Sequence, residues 1–224
     1  MPRFQTEGAC RACGGRFSGQ QIRRHITACP KRPTGKEPAF DMRVSAGPYW
    51  AFLEIPARAT LEHLDAALRH LWVECCGHLS RFTVEGTRYE LQTGGVDAMW
   101  TGMFGPSKPT RSMRIRLNEV FRPGVKFDYE YDFGSTTHLK LEVVSKRATR
   151  VKKNEVILVA RNEPPPFPCD ECRKDPAALV KMICTECQKG ICVSCAKKHE
   201  CDEDMQLPLV NSPRAGICGY TGSD

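Results

Sequence analysis

The stretch Val125-Lys-Phe-Asp-Tyr-Glu-Tyr-Asp-Phe133 alternates apolar or aromatic residues with charged ones. A strand sends successive side chains to opposite faces. The pattern therefore predicts a half-buried strand with Phe127, Tyr129, Tyr131 and Phe133 inward and Asp128, Glu130 and Asp132 outward. Tyr49–Ile55 is apolar and aromatic enough for a buried strand. Leu79–Val84 and Thr87–Leu91 alternate around Glu85-Gly86, which suits a hairpin. Ser112–Leu117, Thr137–Val144 and Glu155–Ala160 read as further strands, and the Gly- and Pro-bearing stretch Gly94–Thr110 as a surface loop. Thr60 is placed to cap a helix with His63 at the third position. Leu61, Leu64, Leu68, Leu71 and Trp72 then recur at helical spacing to about Glu74. One main helix on a mostly antiparallel sheet is a two-layer α+β domain, here flanked by small zinc-stabilised modules.

Those modules are announced by cysteine spacing. Near the C-terminus Cys169, Cys172, Cys184, Cys187, Cys192, Cys195, His199 and Cys201 form three Cys-x2-Cys knuckles and a His-x-Cys pair. A knuckle supplies two thiolates on one turn and zinc takes four such ligands, so eight ligands predict two ions. A second signature opens the chain, Cys10-x2-Cys13 followed by His25-x3-Cys29. His25 and Cys29 would lie one helical turn apart, behind a minimal core of Phe17 and Ile22, with Pro30 ending the helix. Three zinc ions are expected as the cofactors. A disulfide framework would need an oxidising compartment. Met1–Gly8 has no apolar core of the signal-peptide kind and no apolar run approaches membrane-span length, so a cytoplasmic, non-membrane protein is expected.

Charge is uneven. The net is +6 over residues 1–40, +3 over 41–163 and −2 over 164–224. These shifts, and Pro164-Pro-Pro-Phe-Pro168, suggest a finger at 8–31, a linker at 32–40, an α+β domain at 41–163, a proline linker at 164–168 and a double-zinc module at 169–220. The proline run is expected to separate the last module from the domain before it.

His78-Leu-Ser-Arg-Phe82, after a helix, and Tyr131-Asp-Phe-Gly-Ser-Thr-Thr-His-Leu-Lys-Leu-Glu142 resemble the plasmid pRiA4b ORF-three-like family over roughly residues 40–162. Thr136-Thr137 stand where that family usually has a Trp. The resemblance implies a small α+β sandwich and no defined activity. The C-terminal spacing is similar to B-box and other cross-brace modules. That likeness implies one site from Cys169, Cys172, Cys192 and Cys195, and a second from Cys184, Cys187, His199 and Cys201. The tight His-x-Cys pair departs from the usual spacing and leaves Cys218 as an alternative to Cys201. Local closure orders fewer residues and favours Cys201.

Asp128, Glu130 and Asp132 with His138 and His78 could be read as a metal-assisted catalytic face. The plainer account is a solvated strand face with Asp132 bonding the Gly134 turn, and no catalytic residue is assigned. Cys75-Cys76 are read as apolar packing, and His63 and His70 as surface-edge residues. Arg23, Arg24, Lys31 and Arg32 on the finger side, and Lys146, Arg147, Arg150, Lys152 and Lys153 in an expected loop between two strands, are candidate phosphate contacts. The leading function is a non-enzymatic zinc protein that binds nucleic acid, DNA or RNA, and also meets a protein partner. The alternative is a scaffold that makes protein contacts through its C-terminal zinc module. The sequence sets no oligomeric state.

Overall fold

The fold is described from a computed structural model for residues 6–91, 110–172 and 178–222. The expected loop Gly94–Thr110 lies outside the described residues except for Thr110. Ten strands form the main sheet: β1 Glu7–Cys10, β2 Arg16–Ser18, β3 Glu37–Ala46, β4 Tyr49–Pro56, β5 Ser80–Val84, β6 Thr87–Glu90, β7 Thr110–Ser112, β8 Lys126–Tyr131, β9 Thr137–Thr149 and β10 Ile157–Asn162. Their order is β2-β1-β10-β4-β3-β9-β8-β5-β6-β7, and every pairing is antiparallel except β6 with β7. This is the expected α+β architecture.

Helix α2, Leu61–Leu68, covers one face of the sheet and ends in a π-type turn in which Glu74 N–H donates to Arg69 O at 3.0 Å. His63 Nδ1 accepts from Thr60 N–H at 3.3 Å and lies 2.7 Å from Thr60 Oγ1, so histidine serves where an acid is usual in a capping box. Leu61, Leu64, Leu68 and Trp72 meet Phe82, Phe127, Tyr129, Tyr131, Leu139 and Leu141 in one core. On this helix the buried Asp65 accepts from Tyr129 Oη at 2.8 Å, Ser80 Oγ at 2.6 Å and Arg69 Nε at 2.6 Å. A buried carboxylate is tolerable only when so satisfied.

Every residue of β4 is buried, and strand alternation explains why. Tyr49, Ala51, Leu53 and Ile55 face the α2 core, whereas Trp50 and Phe52 face a second core under the N-terminal finger. In the finger, β1 pairs with β10, β2 pairs with β1, and α1 spans Gly19–Ala28. Ser18 caps α1: its Oγ accepts from Gln21 N–H while its N–H donates to Gln21 Oε1 at 3.0 Å. Ile22 and Ile26 recur one turn apart and bury completely or nearly so against Trp50 and Phe52, each contributing roughly 1.5–3 kcal/mol.

The finger is thus an extension of the main sheet. Residues 32–40, expected to be a linker, contain the buried Arg32 and the start of β3, a strand absent from the sequence reading. Three other expectations are corrected. Leu117–Val120 is a short helix, α3, rather than the end of a strand. Lys146 and Arg147 lie on β9, which runs on to Thr149, rather than in a loop. Phe133 is 44% exposed because β8 stops at Tyr131 and Asp132 takes φ +63°, which breaks the alternation.

The C-terminal part has its own antiparallel sheet, β11 Met182–Cys184, β12 Gly190–Ile191 and β13 Gln206–Pro208, in the order β12-β11-β13. Helix α4, Val193–Ala196, follows β12. The proline run does not isolate this part. Phe167 packs on the main core, and Ser212 Oγ donates to Trp72 O at 2.6 Å. Arg214 is fully buried against the main domain, with Asp132 Oδ2 at 2.7 Å and Thr137 Oγ1 at 3.0 Å.

Candidate metal centres

Thirteen cysteines and three of the six histidines fall into four clusters, in each of which the ligand atoms lie within 4.8 Å of one another. A tetrahedral ion with metal–sulfur bonds of about 2.3 Å needs sulfurs about 3.8 Å apart, so each donor set has the size and chemistry for one ion. In the finger cluster, Cys10 and Cys13 sit on the turn between β1 and β2, closed by Gly14 N–H donating to Cys10 O at 2.8 Å. The Gly15 N–H points at Cys13 Sγ at 3.4 Å and takes this thiol below its ordinary value, burial opposing. From α1, His25 brings Nε2 to 3.3 Å of Cys13 Sγ while its ring stacks on Phe17 at 4.1 Å, and Cys29 follows the helix end.

Cys169, Cys172, Cys192 and Cys195 form the second cluster. Burial acts to raise the Cys169 thiol, but backbone N–H groups of Cys172, Cys192 and Glu171 prevail and bring it down to about 6. The third gathers Cys184, Cys187, His199 and Cys201. Here the Cys187 N–H lowers Cys184 to about 6, against burial and with help from His199 and the Glu186 N–H. Such turns stabilise thiolates before any ion arrives. His199 Nδ1 lies 2.8 Å from Glu171 Oε1, which fixes Nε2 toward Cys187 at 3.4 Å. The pairing of first with third knuckle, and of second knuckle with the last pair, is the cross-brace arrangement. Cys201, not Cys218, lies with Cys184 and Cys187.

The fourth cluster was not read from the sequence. Cys75, Cys76 and His78 in the loop after α2 meet Cys218 from the tail. Cys75 packs against the main core, as read from the sequence, whereas Cys76 is exposed and is not apolar packing. The signal available was the dense Cys-Cys-x-His string, but its closing ligand lies 140 residues away.

A family model described as Plasmid pRiA4b ORF-3-like protein matches residues 41–173, more than half of the 224 residues. The chain belongs to this family. Outside the family span lie residues 1–40, with the finger, and residues 174–224, from Cys184 to Cys218 among them. A solved protein of unknown function, MM3350 from Methanosarcina mazei Go1, is similar at 18% identity and a TM-score of 0.44, over 56% of this chain and 70% of that one. No curated protein matches.

In this pRiA4b ORF-3-like protein Asp128, Glu130 and Asp132 do not gather around His138, which has only Glu130 of the three beside it among the described residues. Asp132 Oδ1 accepts from Gly134 N–H at 3.0 Å and its Oδ2 is held by Arg214, whereas His138 is exposed on β9 with Glu130 at 3.7 Å. Glu130 in turn accepts from Arg81 at 2.6 Å. His78, not His138, approaches Asp132, at 3.7 Å.

The candidate phosphate contacts divide. Arg32 is a buried structural cation: it donates to Ile26 O at 2.7 Å and pairs with Asp41 and Glu54. Burial works to lower it, and the two carboxylates outweigh that and hold it above the ordinary guanidinium value. Arg147 donates to Glu54 Oε2 at 2.7 Å and Pro33 O at 2.9 Å. Arg23 pairs with Glu142 at 2.6 Å, and Lys146 lies over the Phe40 ring at 5.6 Å. Arg24, Lys31, Arg150, Lys152 and Lys153 are exposed, as is Lys36. Among the described residues no helix is long and apolar enough to cross a membrane.

Proposed function

We propose that this is a non-enzymatic, zinc-stabilised protein that binds nucleic acid through its phosphates. The observation that carries the reading is the meeting of two basic runs more than a hundred residues apart in sequence. β3 pairs with β9 so that Glu37 faces Thr149, and Arg150 Nε donates to Thr34 O at 2.9 Å. The residues around this junction include the exposed Lys31, Lys36, Arg150, Lys152 and Lys153, with Glu37 and Glu155 as the acids beside them. Gly35 lies so close to β9 that a Cβ there would stand 2.1 Å from Thr149 O, so the approach depends on glycine. Zinc is favoured over other metals because each donor set is either four thiols or three thiols and an imidazole. Closed four-ligand sites leave no position for substrate, which supports a structural role for the metal.

The test is the salt dependence of duplex binding by full-length protein and by Lys31→Ala/Lys36→Ala/Lys152→Ala/Lys153→Ala. Each phosphate contact contributes about 0.9 to the slope of log K against log salt, so loss of four should flatten it by up to about 3.6. Equal slopes, or no binding by either protein, would hand the case to the scaffold reading.

A further inference from the structure

We infer that Cys75, Cys76, His78 and Cys218 hold a fourth zinc ion, which clips the C-terminal tail onto the loop after α2. The donor set, three sulfurs and one imidazole, is the same as in the finger and in the third cluster. Cys76 Sγ lies 3.6 Å from both Cys75 Sγ and Cys218 Sγ, and His78 Nε2 lies 3.0 Å from Cys76 Sγ and 3.4 Å from Cys218 Sγ. These are close to the edges of a tetrahedron around an ion bound at about 2.3 Å by sulfur and about 2.0 Å by nitrogen. With this cluster every cysteine in the chain has a place in a four-ligand set.

Both halves of the site are built independently of any ion. On the loop side, Gly77 takes φ +75° and donates to Glu74 Oε1 at 2.6 Å, which turns Cys76 and His78 toward one another. Tyr131 Oη accepts from the His78 N–H at 3.3 Å and donates to Glu74 Oε1 at 3.0 Å, tying the same turn to β8. On the tail side, buried Arg214 and Ser212 dock the chain four and six residues before Cys218. Cys218 itself sits at φ +50°, a conformation that a non-glycine residue adopts at some cost and that a metal bond would help to hold. Arg214 Nη2 also points at Cys75 Sγ at 3.3 Å. Three thiolates and one Zn2+ leave a net negative charge, and this guanidinium lies where it offsets that charge.

The inference shares its zinc chemistry with the proposed function, and the experiment separates the two. Metal analysis of the full-length, reduced protein should give four zinc equivalents. Cys218→Ser and, separately, His78→Ala should each bring this to three, whereas His138→Ala should leave four. Cys76 and Cys218 are exposed, whereas Cys10 and Cys169 are buried, so a chelator should remove this equivalent first. In cobalt-loaded protein each variant should also lose the thiolate-to-cobalt absorption of this site alone. Three equivalents in the wild type, unchanged content in both variants, or a missing pair of titratable thiols that marks a Cys76–Cys218 disulfide would overturn the assignment. No zinc at all would instead defeat the zinc reading of all four clusters.

Discussion

Arg32→Ala tests the joint between the finger and the sheet. Its guanidinium reaches the last turn of α1 at Ile26 O and pairs with two carboxylates, Asp41 on β3 and Glu54 on β4. The side chains of Arg32, Asp41 and Glu54 are 3%, 1% and 5% exposed. Without Arg32, Glu54 keeps Arg147 and the Thr149 hydroxyl, whereas Asp41 keeps the Ser145 hydroxyl and no cation among the described residues. Removing one partner of a buried ion pair typically costs about 3–5 kcal/mol, because the other charge is left desolvated. Glu54's remaining partners place the expected cost near the low end, about 3 kcal/mol. At about 2–4 °C per kcal/mol for a chain of this size, the melting temperature should fall by about 6–12 °C. The assay is thermal unfolding of metal-loaded, full-length protein, with amide exchange over residues 22–41 to locate the loosening. Arg32→Met/Asp41→Leu should recover part of the loss, since both charges leave together. A melting temperature within about 2 °C of wild type, with nucleic-acid affinity reduced in the direction expected for the four-lysine variant, would refute the buried pairing and return Arg32 to the surface.

Two further substitutions probe the metal modules. Gly8→Ala would put a Cβ 2.0 Å from Arg161 O and 2.7 Å from the Trp50 ring. It should detach β1 from β10 at a cost of at least about 1–3 kcal/mol, seen as faster amide exchange in residues 7–18 with the α2 core unchanged. Glu171→Ala frees His199 Nδ1 and should weaken metal binding at the third cluster by about 10–100-fold in a chelator competition, while leaving the finger's affinity alone.

The cysteine and histidine clusters of the finger and of the C-terminal module were legible in the sequence because each knuckle is a local turn, its two cysteines separated by only two residues. A continuous apolar and aromatic run marked β4, whose two faces are both packed, while alternation marked β5, β6 and β8 and leucine spacing marked α2, since period and burial go together when one face is packed. Other features depended on residues distant in the chain. β3 starts beside Pro and Gly and reads as linker, and it becomes a strand because β4 and β9 supply both sets of hydrogen bonds. Arg32 looks like a surface cation until Asp41 and Glu54 close around it. Cys75, Cys76 and His78 look incomplete until the docking of Arg214 brings Cys218 to them. Short-range geometry is written in residue spacing. Which charges are desolvated, and which thiols and imidazoles meet across 140 residues, is decided only when the sheet, the finger and the tail pack together.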